Sequence, residues 1–188
     1  MPYIRAFLTM LFLAGIVSAR ALAGPPLICF AHPTGSAASL SWSEGIGWNG
    51  ALPSYDLSSL VSDSLRLLKP EVPVETRMET IRRAVIYAAR RDGLADTLVR
   101  SLLARSDDRS ASAASRAAAL FDAGYTIETV RDAVHMYAVM RATDRDAWMI
   151  RSAPGVDGLA LIRQAMQLGG TGMDDAVAIV QRARAEER

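Results

Sequence analysis

The chain has 188 residues, with 21 basic and 20 acidic groups, two histidines and a single cysteine. One cysteine excludes an internal disulfide, so the fold must hold by its core alone. A near-neutral charge without any block of one sign excludes an electrostatic footprint for nucleic acid or anionic lipid. All basic groups but Lys69 are arginines, a usage that reads as coding bias rather than as a binding device.

At the N-terminus, Arg5 precedes an apolar run from Ala6 to Ala19, 14 residues long, where a membrane span needs roughly 20. Arg20 interrupts the run, and Ala21-Leu22-Ala23 supplies the small-x-small pattern read by a signal peptidase. Residues 1–23 are therefore expected to be a cleavable bacterial signal peptide, and the mature chain is expected to begin near Gly24. Lipidation of Cys29 fits poorly, because Ile28 is not small and Pro25 and Pro26 disturb the cleavage segment. The mature part would keep 19 basic and 20 acidic groups, a net charge of −1, with no stable membrane span. Its 165 residues suit one domain.

Residues 24–55 are rich in Gly, Pro and Ser and lack sustained periodicity, which predicts an irregular arm with Trp42 and Trp48 packed on the body. Gly45-Ile46-Gly47-Trp48-Asn49-Gly50 matches the dinucleotide fingerprint in letters only. No buried strand precedes it and Pro53 interrupts the segment after it, so it reads as a glycine-rich loop, and no cofactor is expected.

Helical spacing begins after Asp56, a candidate N-cap, with Leu57, Leu60, Val61, Leu65 and Leu68 on one stripe before Pro70 and Pro73. A second helix is expected from about Arg77 to Gly93, with Thr76 and Glu79 at capping-box spacing and Met78, Ile81, Val85 and Ala88 on one face. Leu94, Leu98, Val99 and Leu102 mark a third, ending near Asp107. Ser112 to Asp122 reads as a fourth, stopped by Gly124, and Thr126 reads as a fresh cap for a helix from Ile127 to about Arg141. After a connection over 142–157, two last helices are expected near 158–168 and 173–185. The domain at 56–188 is thus expected to be all-α, an irregular bundle of helical hairpins with a repeat-like rhythm but no recurring signature.

Glu128, Asp132 and His135 stand at i, i+4 and i+7 and share one helix face, so they could offer oxygen and nitrogen ligands to a metal. Ile127, Val130, Val134 and Tyr137 occupy the other face, and that pattern predicts a solvated charged face instead. Cys29 and His32 have a spacing that can share one ion, but structural zinc needs four ligands, so no metal site is expected there. The pair stays open as a candidate nucleophile and base. No serine elbow is present, and Asp107-Asp108 and Asp174-Asp175 read as helix-boundary charges.

Gly24-Pro25-Pro26-Leu27-Ile28-Cys29, His32-Pro33 and Ala38-Ser39-Leu40-Ser41-Trp42 together resemble a group of uncharacterised secreted bacterial helical proteins with a Gly-Pro-Pro-Leu-x-Cys mature N-terminus. Leu120-Phe121-Asp122-Ala123-Gly124-Tyr125 with Glu128-Thr129 is similar to that group's central segment, and Asp157 to Arg163 to its final helix. Members usually have Cys-His-Pro without a gap, whereas Phe30-Ala31 separates Cys29 from His32 here. The resemblance implies export and helices, and no activity, substrate or cofactor.

The resulting expectation is a non-enzymatic helical binding or scaffold protein of the periplasm or extracellular space, with a peptide or an envelope protein as its partner. The alternative is a Cys29/His32-dependent activity, whether redox, metal-linked or nucleophilic.

Overall fold

The computed structural model describes residues 24–44, 47–140 and 148–187. The expected signal peptide at 1–23 lies outside them, as do Gly45 and Ile46 of the glycine-rich loop. Among the described residues there are seven α-helices and no strand: α1 (Pro26–Cys29), α2 (Leu60–Leu67), α3 (Val74–Ala88), α4 (Leu94–Ser106), α5 (Ala113–Val139), α6 (Gly158–Gln167) and α7 (Asp174–Glu186). A 3₁₀ turn at Leu57–Ser59 leads into α2. No helix among the described residues is long and apolar enough to cross a membrane.

Local chemistry explains most boundaries. The Asp56 carboxylate accepts from Ser58 N–H and opens the 3₁₀ turn, and Ser112 and Asp157 cap α5 and α6 by accepting from Ser115 and Ala160. Gly93, at φ 68°, makes the left-handed turn between α3 and α4. α3 starts three residues before the expected Arg77, directly after Pro73. The Thr76 and Glu79 capping box does not form, because both residues lie inside the helix and are buried.

The main correction concerns the middle of the chain. The expected pair of helices at 112–122 and 127–141 is one helix, α5, of 27 residues and about 40 Å. Gly124 does not stop it and Thr126 does not cap a new one. Thr126 and Thr129 donate their hydroxyls back to the carbonyls of Asp122 and Tyr125, four residues earlier, so their polar ends are satisfied within the helix. Every residue from Ala117 to Val130 is buried. α5 is the axis of the domain and packs against α1, α3, α4, α6 and α7.

The arm is irregular apart from α1, and it is bound to the body rather than free. Leu27, Ile28 and Leu40 join the core, while Trp42 and Trp48 pack against it. The Trp42 ring meets Tyr87 edge-on at 5.8 Å, and Trp48 meets Trp148 at 6.0 Å. Beyond α5, the described chain resumes at Trp148, whose indole N–H donates to the Ala133 carbonyl at 3.0 Å.

Candidate functional site

The two candidate groups from the sequence meet along one edge of α5. α1 begins with Pro25-Pro26, so no local side chain caps its first turn. Asp132 does so from α5: its Oδ2 accepts N–H bonds from Leu27 at 2.8 Å and Ile28 at 3.0 Å. Burial pushes the Asp132 carboxyl up to about 7; these two N–H groups oppose the shift, and Glu187 and Glu186 add to it.

Cys29 is half-buried, with Sγ 3.8 Å from the Met136 sulfur. Burial pushes its thiol up to about 11, with Asp132 contributing and Arg82 opposing. A thiol held protonated at neutral pH is a poor nucleophile. His32 donates its backbone N–H to Glu79 Oε2 at 3.0 Å and sets Nε2 3.2 Å from the Tyr125 hydroxyl. Burial lowers the imidazole, against the pull of Glu79. Among the described residues no hydrogen bond joins Cys29 to His32; each has a different partner.

The trio Glu128, Asp132 and His135 does not form a solvated face. Glu128 and Asp132 are buried and only His135 is partly exposed. Glu128 takes two bonds from Arg184, at 2.8 and 2.7 Å, and a third from the Leu159 N–H at the start of α6. It therefore ties α5 to α6 and α7, while Asp132 ties α5 to α1. Among the described residues, no group of three or more His, Cys, Asp or Glu side chains is placed to hold a metal.

The sequence reading missed a buried ionic network. Arg77 Nη1 donates to both Asp122 oxygens at 2.7 and 2.8 Å, and Arg105 adds a bond at 3.2 Å. Burial raises the Asp122 carboxyl, and the two guanidiniums oppose it. Both arginines also donate to carbonyls that end α2, Arg77 to Lys69 and Arg105 to Leu68. Glu79 pairs with Arg82 and Arg83; burial alone would raise its carboxyl, but Arg82 holds it below the ordinary value. Arg82 then donates to the Ile28 and Trp48 carbonyls, and Arg83 to Leu40, so these two arginines of α3 hold three carbonyls of the arm. Only Asp122 carried a signal in the sequence, because Ala118, Ala119, Leu120, Phe121, Ala123 and Tyr125 surround it, whereas Arg77 and Arg82 stand among Glu75, Thr76, Glu79, Thr80 and Arg83 and read as a polar segment.

With these groups committed to structure, the open surface is the remaining place for a ligand. A groove of about 440 Å³ runs between Val72 and Val74 at the start of α3, Ala114 and Ala118 on α5, and the glycine turn ending at Met173. A second hollow of about 260 Å³ lies beside it, sharing Glu75 and Gly172 and lined also by His32, Asp175 and Arg182. Small side chains and proline with Glu75 and Arg77 line the first, and His32, Asp175 and Arg182 stand with Met78, Ala178 and Ile179 in the second. Each hollow mixes apolar and ionisable groups, a surface that could receive an amphipathic peptide segment. In comparisons with family models, curated proteins and solved structures, none matches this chain.

Proposed function

We propose that this chain is an exported, non-enzymatic helical binding or scaffold protein of the bacterial cell envelope, periplasmic or extracellular, that receives a peptide segment of another envelope protein. The observation that carries this reading is the groove between Val72, Ala114 and Met173, which shares Glu75 and Gly172 with a neighbouring hollow at Asp175 and Arg182. The alternative, a Cys29/His32 activity, lacks such support, since the thiol is protonated and its neighbour is a methionine sulfur. Export rests on the apolar run from Ala6 and the Ala21-Leu22-Ala23 pattern, together with the resemblance to secreted helical proteins.

A photo-crosslinking residue at Ala114, an exposed groove position, and one at Ala160, exposed outside the groove, test the reading in the native host. The expected result is one defined adduct at Ala114 and none at Ala160. A synthetic peptide covering the captured segment should then bind the purified chain, and Ala114→Trp should abolish that binding by filling the groove. Equal capture at both positions, or a peptide that binds Ala114→Trp as well as wild type, would refute it.

A further inference from the structure

α7 is lightly held to the body. The side chains it buries are two alanines and a valine, Ala176, Ala183 and Val180. Its ion pairs to the body run through Arg184, which bonds Glu128 on α5 and Asp157 at the start of α6. The chain enters α7 from α6 through Gly169-Gly170-Thr171-Gly172. Gly172 has φ 72°, and beyond its chain neighbours a Cβ there would meet only a Val74 methyl, at 3.9 Å. A turn so free of close neighbours is suited to a hinge.

A helix that carries the partner of a buried carboxylate is normally fixed, because its departure leaves a buried charge uncompensated. Asp122 is placed in that way, with Arg77 on α3 and Arg105 on α4. Glu128 is not. Arg131, three residues further along α5 itself, holds Nε 3.6 Å from Glu128 Oε2, within ion-pair range but too far for a hydrogen bond. That Nε is the one buried side-chain nitrogen or oxygen among the described residues without a hydrogen-bond partner. Its nearest acceptor is already taken by both Arg184 donors and by the Leu159 N–H. A shift of less than about 1 Å would bring Arg131 to hydrogen-bond distance once Arg184 leaves.

We infer that α7 is a hinged wall of the binding surface, which swings from α5 on the glycine turn while Arg131 takes Glu128 in place of Arg184. Glu128 then has a cation in both forms, and it keeps the Leu159 N–H because α6 stays in place. Asp157, 60% exposed, loses little when Arg184 departs. α1, which also touches α7, remains tied to α5 through Asp132 and to α3 through Arg82. The motion bears on binding because α7 supplies Asp175, Ala178, Ile179 and Arg182 to the hollow beside the groove. Its swing opens that hollow from one side, and its return closes it over an occupant. The identity of the occupant rests on the peptide reading above; the hinge does not.

Amide hydrogen exchange of the chain without any peptide tests this, under conditions where exchange reports the population of open forms. In the wild type, amides at 178–186 should exchange at least about a hundredfold faster than those at 121–130 of α5, while those at 162–167 of α6 stay protected. Arg184→Gln should speed α7 exchange by at least about tenfold, since the closed form loses its tie. Arg131→Gln should slow α7 exchange about threefold or more, because only the open form depends on that arginine for its cation. The sign of this last change is decisive: an arginine that merely supported the closed packing would speed α7 exchange when removed. Arg131 is 30% exposed, so its replacement leaves the fold intact for the comparison. Exchange of α7 at the rate of the α5 interior, opening of α6 together with α7, or unchanged or faster α7 exchange in Arg131→Gln would overturn the hinge. Because no occupant is needed, a failed hinge leaves the peptide reading standing, and failed capture at Ala114 removes that reading without touching the hinge.

Discussion

The central helix α5 and the final hairpin of α6 and α7 show two different ways in which a sequence builds a helix. The hairpin is amphipathic: Leu159, Ile162 and Ala165 on α6, with Ala176, Val180 and Ala183 on α7, are buried, and residues between them face water. Each helix buries a single stripe. α5 has no such stripe, because from Ala117 to Val130 it is surrounded. Its charged residues cannot turn to solvent, so each must be matched by a group from another element. A carboxylate on the hairpin is a surface charge, whereas a carboxylate on α5 is a joint between elements.

Replacing the same residue type in the two regions should give the largest contrast. Asp122→Ala leaves Arg77 buried without its partner and is expected to cost about 3–5 kcal/mol. Asp174→Ala, in the exposed first turn of α7, removes only a favourable helix-end charge and should cost about 0.3–1 kcal/mol. Urea unfolding of both variants measures the difference. Equal losses would mean that α5 is not the ionic axis of the domain.

Backbone approach supplies the next contrast. A Cβ on Gly124 would lie 2.5 Å from the Gly158 carbonyl oxygen, a backbone atom that cannot swing aside. Gly124→Ala should therefore separate α5 from α6 and cost about 1–3 kcal/mol in thermal or chemical unfolding. Gly155→Ala, where a Cβ would meet nothing within 4 Å, should stay within about 0.5 kcal/mol of wild type. A neutral Gly124→Ala would show that the two helices can slide apart without loss.

The same contrast explains what was legible in the sequence. α2, α4, α6 and α7 follow from their apolar stripes and the proline or glycine signals that flank them, because each keeps a wet face and so preserves the periodicity that reveals it. Gly124 and Thr126 look like a helix break, since a glycine followed by a hydroxyl residue is the usual sign of one. In α5 the glycine instead serves the contact with Gly158, and the threonine bonds back into its own helix. Glu128 and Asp132 read as a solvated face because spacing alone shows that two residues share a side, and not what covers that side. What covers them is Arg184, 56 residues away from Glu128, and the α1 turn, 104 residues away from Asp132 at its nearest bond. No local pattern contains such pairings. Burial of Trp42 and Trp48 was legible, because aromatic area of that size in an irregular arm needs a surface to pack on.

The arm and the surface also differ in chemical reactivity. With its thiol pushed up to about 11, Cys29 should react with a neutral alkylating reagent at pH 7 roughly a few hundred-fold more slowly than an unperturbed cysteine. Unfolding in denaturant should restore the ordinary rate. His32→Ala should leave labelling of the folded chain unchanged, because His32 is bonded to Tyr125 and Glu79 rather than to the thiol. Mass spectrometry of a labelling time course checks both points. Fast labelling that slows in His32→Ala would restore the nucleophile reading.

The smallest effect is expected at His135, the third member of the trio Glu128, Asp132 and His135. The two carboxylates are buried and committed to different neighbours, Arg184 and the first turn of α1, so they are joined to separate elements and are not free to converge on one ion. His135 is half-buried, three residues beyond Asp132 on the edge of α5. A metal bound there would have to draw Glu128 away from a bidentate arginine and Asp132 away from two amides, at a cost that one imidazole bond does not offset. His135→Ala should therefore change stability by no more than about 0.5 kcal/mol, with the melting curve the same in zinc and in chelator. A zinc-dependent rise in Tm that is present in wild type and absent in His135→Ala would show that α5 keeps a ligand face open, and the contrast between its buried joints and the hairpin's surface charges would then fail at this position.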